Sequence, residues 1–177
     1  MLYYTKRRWQ EGTCVQRIEK ENYYLDIAET VLERSTCRQV RSGAIIVRND
    51  EIVSTGYNGA PRGRANCIDL GYCTWERHKA PVSQSYELCR SVHAEANAII
   101  SAARSECMGG TMYLVSRDAV TGELLEHQGP CSVCRRMIIN AGLSQMVIRD
   151  SGGRYQVLRV QDWVFQDDTL LSPGEGA

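Results

Sequence analysis

The sequence predicts a mixed α/β fold, a sheet with helices on its faces, and three observations carry that reading. Apolar residues Tyr24, Leu25, Ile27, Ala28, Val31 and Leu32 recur at spacings of three and four, a helix period. Two short β-branched runs, Ala44 to Val47 and Ile52 to Thr55, flank the turn-rich Arg48-Asn49-Asp50-Glu51, which reads as a hairpin. From Val92 onward helix-like and strand-like patterns alternate, as they do where helices cover a sheet. With 177 residues the chain suits one domain with a sizeable core.

In chain order, residues 1–21 are polar and weakly patterned and read as an N-terminal arm. The domain proper is expected over 22–160. Its first helix starts with Asn22 as cap and ends near Ser35, and the hairpin follows. Residues 59–90 hold few apolar side chains, two prolines (Pro61, Pro81) and three cysteines, so a long connection is expected, of the kind that is functional or tied down. A helix over Val92–Arg104 then stops at Gly109-Gly110, with Ala96, Ile99 and Ile100 facing inward. A strand over Thr111–Ser116, a polar loop, a helix over Cys131–Asn140 and a strand over Gln145–Arg149 come next. Arg154–Val160 reads as a last short strand, and 161–177 as a C-terminal tail.

Lys and Arg number 21, and so do Asp and Glu. That balance argues against nucleic acid or an anionic membrane as a partner, and a phosphate recognised here should be small and held in a pocket. No run approaches the roughly 18 apolar residues of a membrane span. Met1–Gln10 carries Lys6, Arg7 and Arg8 with no apolar core behind them, so the expectation is an untargeted cytoplasmic protein.

The eight cysteines invite a disulfide reading, but a CxxC in a chain with no recognisable leader more often binds metal or does redox work. Pro130-Cys131-Ser132-Val133-Cys134 opens a helix, with Cys134, Met137, Ile138 and Ala141 at helical spacing. Two thiols one turn apart at a helix N-terminus face one side, where the dipole favours their ionised form. Alone, the pair fits a thioredoxin-like redox couple or half of a structural zinc site. There is no second CxxC, so further ligands must come from elsewhere. His93 supplies a third ligand, and three protein ligands are how catalytic zinc keeps a position open for water. Zinc brings the pKa of such a water toward about 7, and Glu95, two residues past His93, is placed to take its proton and hand it to a leaving group.

HxE followed by PCxxC is the pattern of zinc nucleobase deaminases. "VHAEANAI", "TMYLV", "PCSVCRRMIINAG", "GAIIV" and "STGYNGAPRG" together resemble the deoxycytidylate (dCMP) deaminase branch of the cytidine deaminase-like superfamily, over about Tyr23 to Arg149. The resemblance implies a three-layer α/β/α fold on a mixed five-stranded sheet, with catalytic Zn²⁺ on His93, Cys131 and Cys134. It implies Glu95 as proton shuttle in the hydrolysis of dCMP to dUMP and ammonia, a step in pyrimidine deoxynucleotide supply. The Ala94 backbone is expected at the base and Asn58 at a sugar hydroxyl.

Some members of that branch carry a second, structural zinc. The matching candidates are Cys37, Cys67, Cys73 and Cys89, with His78 as substitute, while Cys14 and Cys107 read as free thiols. Arg62 and Arg64 are candidates for a nucleotide phosphate, or for feedback binding of a dCTP or dTTP effector with Mg²⁺, and a homo-oligomer is implied. The chain departs from the family text at "SRDAVTGELLEHQGPC", an insertion of roughly a dozen residues, by comparison with the family's short passage into PCxxC. It is expected to cover the pocket and bear on substrate choice, with His127 exposed. The competing readings are a same-fold deaminase acting on another small substrate or on a nucleic-acid base, a non-catalytic zinc protein, and a thiol redox protein.

Overall fold

The structure is a computed structural model that describes residues 17–79, 88–126, 128–151 and 153–166. Most of the expected arm and tail, together with Cys14 and His127, lie outside these residues.

Helix α1 spans Lys20–Leu32 and buries Tyr24, Leu25, Ala28 and Leu32 as one stripe. It starts before Asn22, which is not its cap. Glu19 occupies that position, and Asn22 Nδ2 donates to Glu19 Oε2 at 3.0 Å.

The hairpin is longer than its β-branched cores, with β1 over Val40–Arg48 and β2 over Glu51–Tyr57. Its turn is the two residues Asn49 and Asp50, with φ of 52° and 66°. Asn and Asp tolerate that left-handed geometry, whose twist matches the flanking strands. Tyr24 donates its hydroxyl to the Asp50 carbonyl at 2.9 Å and Lys20 pairs with the Asp50 carboxylate, which ties the turn to α1.

The long connection is clipped by two single-turn helices, α2 (Cys67–Leu70) and α3 (Thr74–Arg77). The helix expected over Val92–Arg104 is two, α4 (Ala94–Ile100) and α5 (Arg104–Cys107). The break falls at Ala103, whose extended backbone donates its N–H to Glu106 Oε2 at 2.8 Å and caps the second helix. Ile99 packs on the core, whereas Ile100 is 68% exposed and does not face inward. The rest are β3 (Thr111–Asp118), α6 (Ser132–Ala141), β4 (Gln145–Arg149), β5 (Tyr155–Arg159) and α7 (Val160–Phe165). The segment expected to open the tail thus begins as a helix. Val160 is buried, and Trp163 packs on the core with the Arg135 guanidinium 5.7 Å from its ring.

The five strands lie in the order β2-β1-β3-β4-β5, with β3 and β4 parallel and the other pairs antiparallel. Alternation sorts side chains to two faces. Ile45, Val47, Tyr113, Val115 and Val147 meet α1, while Ala44, Ile46, Met112, Leu114, Met146 and Ile148 meet the layer of α4 and α6. This is the expected three-layer α/β/α arrangement.

Two glycines set how closely the helices approach. A Cβ on Gly43 would lie 2.2 Å from the Ala28 carbonyl of α1, and one on Gly56 would lie 2.3 Å from Ala94 O and Ala98 N of α4. Both contacts are to backbone, so relief requires moving a helix rather than a side chain. Gly56→Ala is therefore expected to cost about 1–3 kcal/mol of stability. It should also lower turnover by shifting α4, read from thermal unfolding and steady-state rates measured on the same preparation.

Candidate active site

His93 caps α4 and Cys131 caps α6, both with extended backbone, so the two helices bring their N-termini to one place. His93 is held from the preceding residue. Val92 and Gly59 exchange backbone hydrogen bonds at 2.8 and 3.1 Å, which fastens the "GYNG" turn to the start of α4. Asn97 of α4 adds a bond to the Tyr57 carbonyl at 2.8 Å. On α6 the Cys134 N–H donates to Cys131 Sγ at 3.4 Å, and Gly142 (φ 78°) closes the far end.

His93 Nδ1 lies 3.6 Å from Cys131 Sγ and 3.5 Å from Cys134 Sγ, and the three donor atoms all fall within 4.8 Å of one another. Zinc–nitrogen and zinc–sulfur bonds of about 2.0 and 2.3 Å at a tetrahedral angle place N and S about 3.5 Å apart. The donor set and its spacing therefore fit zinc, with a fourth position left for water. Among the described residues this is the one His, Cys, Asp or Glu group of that compactness.

The charges around it are unusual. The Cys131 side chain raises the His93 imidazole above its ordinary range. Contact with the Cys131 side chain, and then burial, push the Cys134 thiol far upward. Glu95, in the first turn of α4 and 5% exposed, has its carboxyl pushed up mainly by burial.

Glu95, His93, Cys131, Ala94 and Asn58 line one cavity of about 230 Å³. The sequence-derived catalytic and substrate residues thus converge. Ala94, as the first helical residue of α4, has an N–H with no intrahelical acceptor, free for a ligand. Asn58 is more constrained than a turn residue. Its Oδ1 accepts from Ser35 Oγ (2.6 Å) and the Ser42 N–H (2.8 Å), and its Nδ2 donates to the Val40 carbonyl (2.7 Å). One amide hydrogen is left over.

The sequence reading missed Val40, Ser42, Leu114, Ser116, Gln128 and Gly129, which complete the lining. The available signal was period-2 alternation, which puts 42 and 44, and 114 and 116, on one face of β1 and β3.

The described part of the insertion divides between the pocket and the far face of the sheet. Its first part folds back as a small hairpin, with Asp118 Oδ1 accepting from the Val120 and Thr121 N–H groups at 2.8 Å. Leu125 N–H donates to the Ser116 carbonyl, and Arg117 pairs with Glu29 of α1. A polar turn with an acid on α1 beside it docks there, and among the described residues after Ser116 it is Gln128 and Gly129 that carry the insertion to the cavity.

Arg62 and Arg64 are exposed and do not line the cavity. His78, the C-cap of α3, is exposed as well. Cys37, Cys73 and Cys89 line a second cavity of about 350 Å³ that also borders His93, Cys131 and Cys134. Cys67 is raised by burial and then by Cys37, Cys73 and Cys89, and Cys89 by burial and then by Cys37 and Cys73. The four thiols therefore share one neighbourhood, more loosely than the compact triad. Cys107 is free and buried.

Residues 18–149 match the family described as the cytidine and deoxycytidylate deaminase zinc-binding region. The chain is 33% identical over 138 residues to the deoxycytidylate deaminase of Mycobacterium phage D29, covering 75% of this chain and 96% of that one. It is 30% identical to the deoxycytidylate deaminase of Schizosaccharomyces pombe, covering 74% of this chain but 37% of that longer one. In fold it is similar to the dCMP deaminase of cyanophage S-TIM5 solved with dCMP and dUMP, with TM-score 0.52, 24% identity, and coverage of 76% and 85% of the two chains. The compact His and Cys triad beside a buried glutamate, in a segment matched across its length, identifies the chain as a member of the cytidine and deoxycytidylate deaminase family.

Proposed function

We propose that the protein is a zinc-dependent hydrolase that converts dCMP to dUMP and ammonia, supplying a precursor for dTTP. The observation that carries this reading is one small cavity lined by His93, Cys131, buried Glu95, Ala94 and the anchored Asn58, with Cys134 completing the compact donor triad at its edge. The phage relative that the chain spans almost end to end carries the same activity in its name.

His93, Cys131 and Cys134 would hold the zinc, which when bound would supply a water acidic enough to ionise near neutral pH. Glu95 accepts that proton and delivers it to N3 of the cytosine ring as the water oxygen bonds to C4; it then takes the proton of the new C4 hydroxyl and passes it to the amine, so that the C4–N bond breaks, ammonia leaves and the C4 carbonyl forms. Its burial excludes bulk water from the transfer. The Ala94 N–H orients the base, and the spare Asn58 amide hydrogen donates to the sugar.

A second zinc on Cys37, Cys67, Cys73 and Cys89 belongs to the same reading. Its support is the shared thiol neighbourhood in a connection with few apolar residues, where a metal would supply the missing order. Exposed His78 is a poorer ligand than the four thiols. Arg62 and Arg64, exposed beyond the Asn58 turn, are the proposed contacts for a phosphate or for a dCTP or dTTP effector with Mg²⁺. A cytoplasmic homo-oligomer rests on the family resemblance.

The test is ammonia release from dCMP, CMP, deoxycytidine, dCTP and single-stranded DNA. The expected result is highest kcat/KM on dCMP. Absence of dCMP turnover by zinc-loaded protein would overturn the assignment.

A further inference from the structure

The apolar rows on the catalytic face of the sheet end in hydroxyls. Along β1 the row runs from Ile46 and Ala44 to Ser42, and along β3 from Met112 and Leu114 to Ser116. Ser42 and Ser116 are register partners, their Oγ atoms lie 2.8 Å apart, and both line the cavity with Asn58 and Glu95. Ser116 is 7% exposed.

An apolar pair would continue the packing at this position without desolvating a hydroxyl. Two hydroxyls bring two donors, and their mutual bond uses one, so a donor and spare lone pairs remain for the cavity. The Ser42 backbone also holds Asn58, its N–H donating to Oδ1 and its carbonyl accepting the Asn58 N–H at 3.2 Å. The hydroxyl pair and the spare Asn58 amide hydrogen thus form one polar patch where the apolar rows of β1 and β3 end.

We propose that Ser42 and Ser116, with Asn58, read a sugar hydroxyl of the nucleotide and so set which sugar the pocket accepts. The inference rests on the nucleotide reading of the pocket. A site built to hydrogen-bond a substrate hydroxyl discriminates strongly against a ligand lacking it, because its own buried groups are then left unpaired.

The experiment measures Kd by calorimetry for dUMP, UMP and 2′,3′-dideoxyuridine monophosphate on wild type, Ser42→Ala, Ser116→Ala and the double variant. The double variant should bind dUMP about tenfold more weakly. The dideoxy nucleotide, already weak on wild type, should be unchanged. Weakening of both dUMP and UMP assigns the 3′-hydroxyl, which both carry, whereas weakening of UMP alone, with dUMP unchanged, overturns the proposal. Equal weakening on all three nucleotides, or none, overturns the proposal. The readout is a ratio within each variant, so a reduced folded fraction does not imitate it. Product binding needs no turnover, so failure of the deaminase assignment would show separately, in the ammonia assay.

Discussion

Glu95→Gln is expected to lower kcat by about 10²- to 10⁴-fold, the range for losing a general acid and base, with the zinc content of wild type retained. Glutamine keeps the shape and hydrogen-bonding capacity of the side chain but cannot carry a proton between water, ring nitrogen and leaving amine. The prediction separates chemistry from architecture because Glu95 is no metal ligand in this reading, while His93, two residues earlier, is. A carboxylate 5% exposed on an otherwise apolar helix face is also a poor structural choice, since burial disfavours its charged form. The variant should accordingly melt no lower than wild type. An unchanged kcat with zinc bound would remove Glu95 from the mechanism.

Much of this site was legible because its chemistry is local in sequence. His93 and Glu95 share one helix start, Cys131 and Cys134 share another, and only their approach had to be supplied by the fold. The strands were legible where β-branched residues alternate, and their extra length was not, because Val40-Arg41-Ser42 and Arg117-Asp118 pair through backbone hydrogen bonds that side-chain type barely signals. The break between α4 and α5 escaped for a related reason. Apolar residues continue through Ile100, but Glu106 captures the Ala103 N–H and restarts the helix after an extended residue. The substrate wall was the least visible part. Ser42 and Ser116 lie 74 residues apart and become neighbours only through the antiparallel pairing of β1 with β3. The path of the insertion was not legible because the docking of its first part depends on a distant acid, Glu29, on the opposite face of the sheet from the site.

The two proposed zinc sites should separate by mutation. Wild type is expected to carry two zinc ions per chain by elemental analysis. Cys134→Ala should retain one and lose turnover to background, since it removes a donor from a three-ligand site whose atoms already stand at tetrahedral spacing. Cys67→Ala should also retain one, but with a different consequence. Cys67 is buried in the first turn of α2, close enough to Cys37, Cys73 and Cys89 for their charge to raise its thiol, and far along the chain from His93. Losing that ion should destabilise the protein by about 4 kcal/mol or more, as loss of a structural metal does, and loosen residues 59–79, while the surviving folded fraction still turns over. Limited proteolysis and thermal unfolding read the first effect, and activity per zinc-loaded folded molecule reads the second. One zinc in wild type, absent from Cys134→Ala and retained by Cys67→Ala, would leave the triad standing and reduce the four thiols to a reduced cluster with no metal role. The cavity bordered by both clusters makes the comparison informative, because disturbance transmitted from the thiols to His93 would appear as a fall in activity per bound zinc.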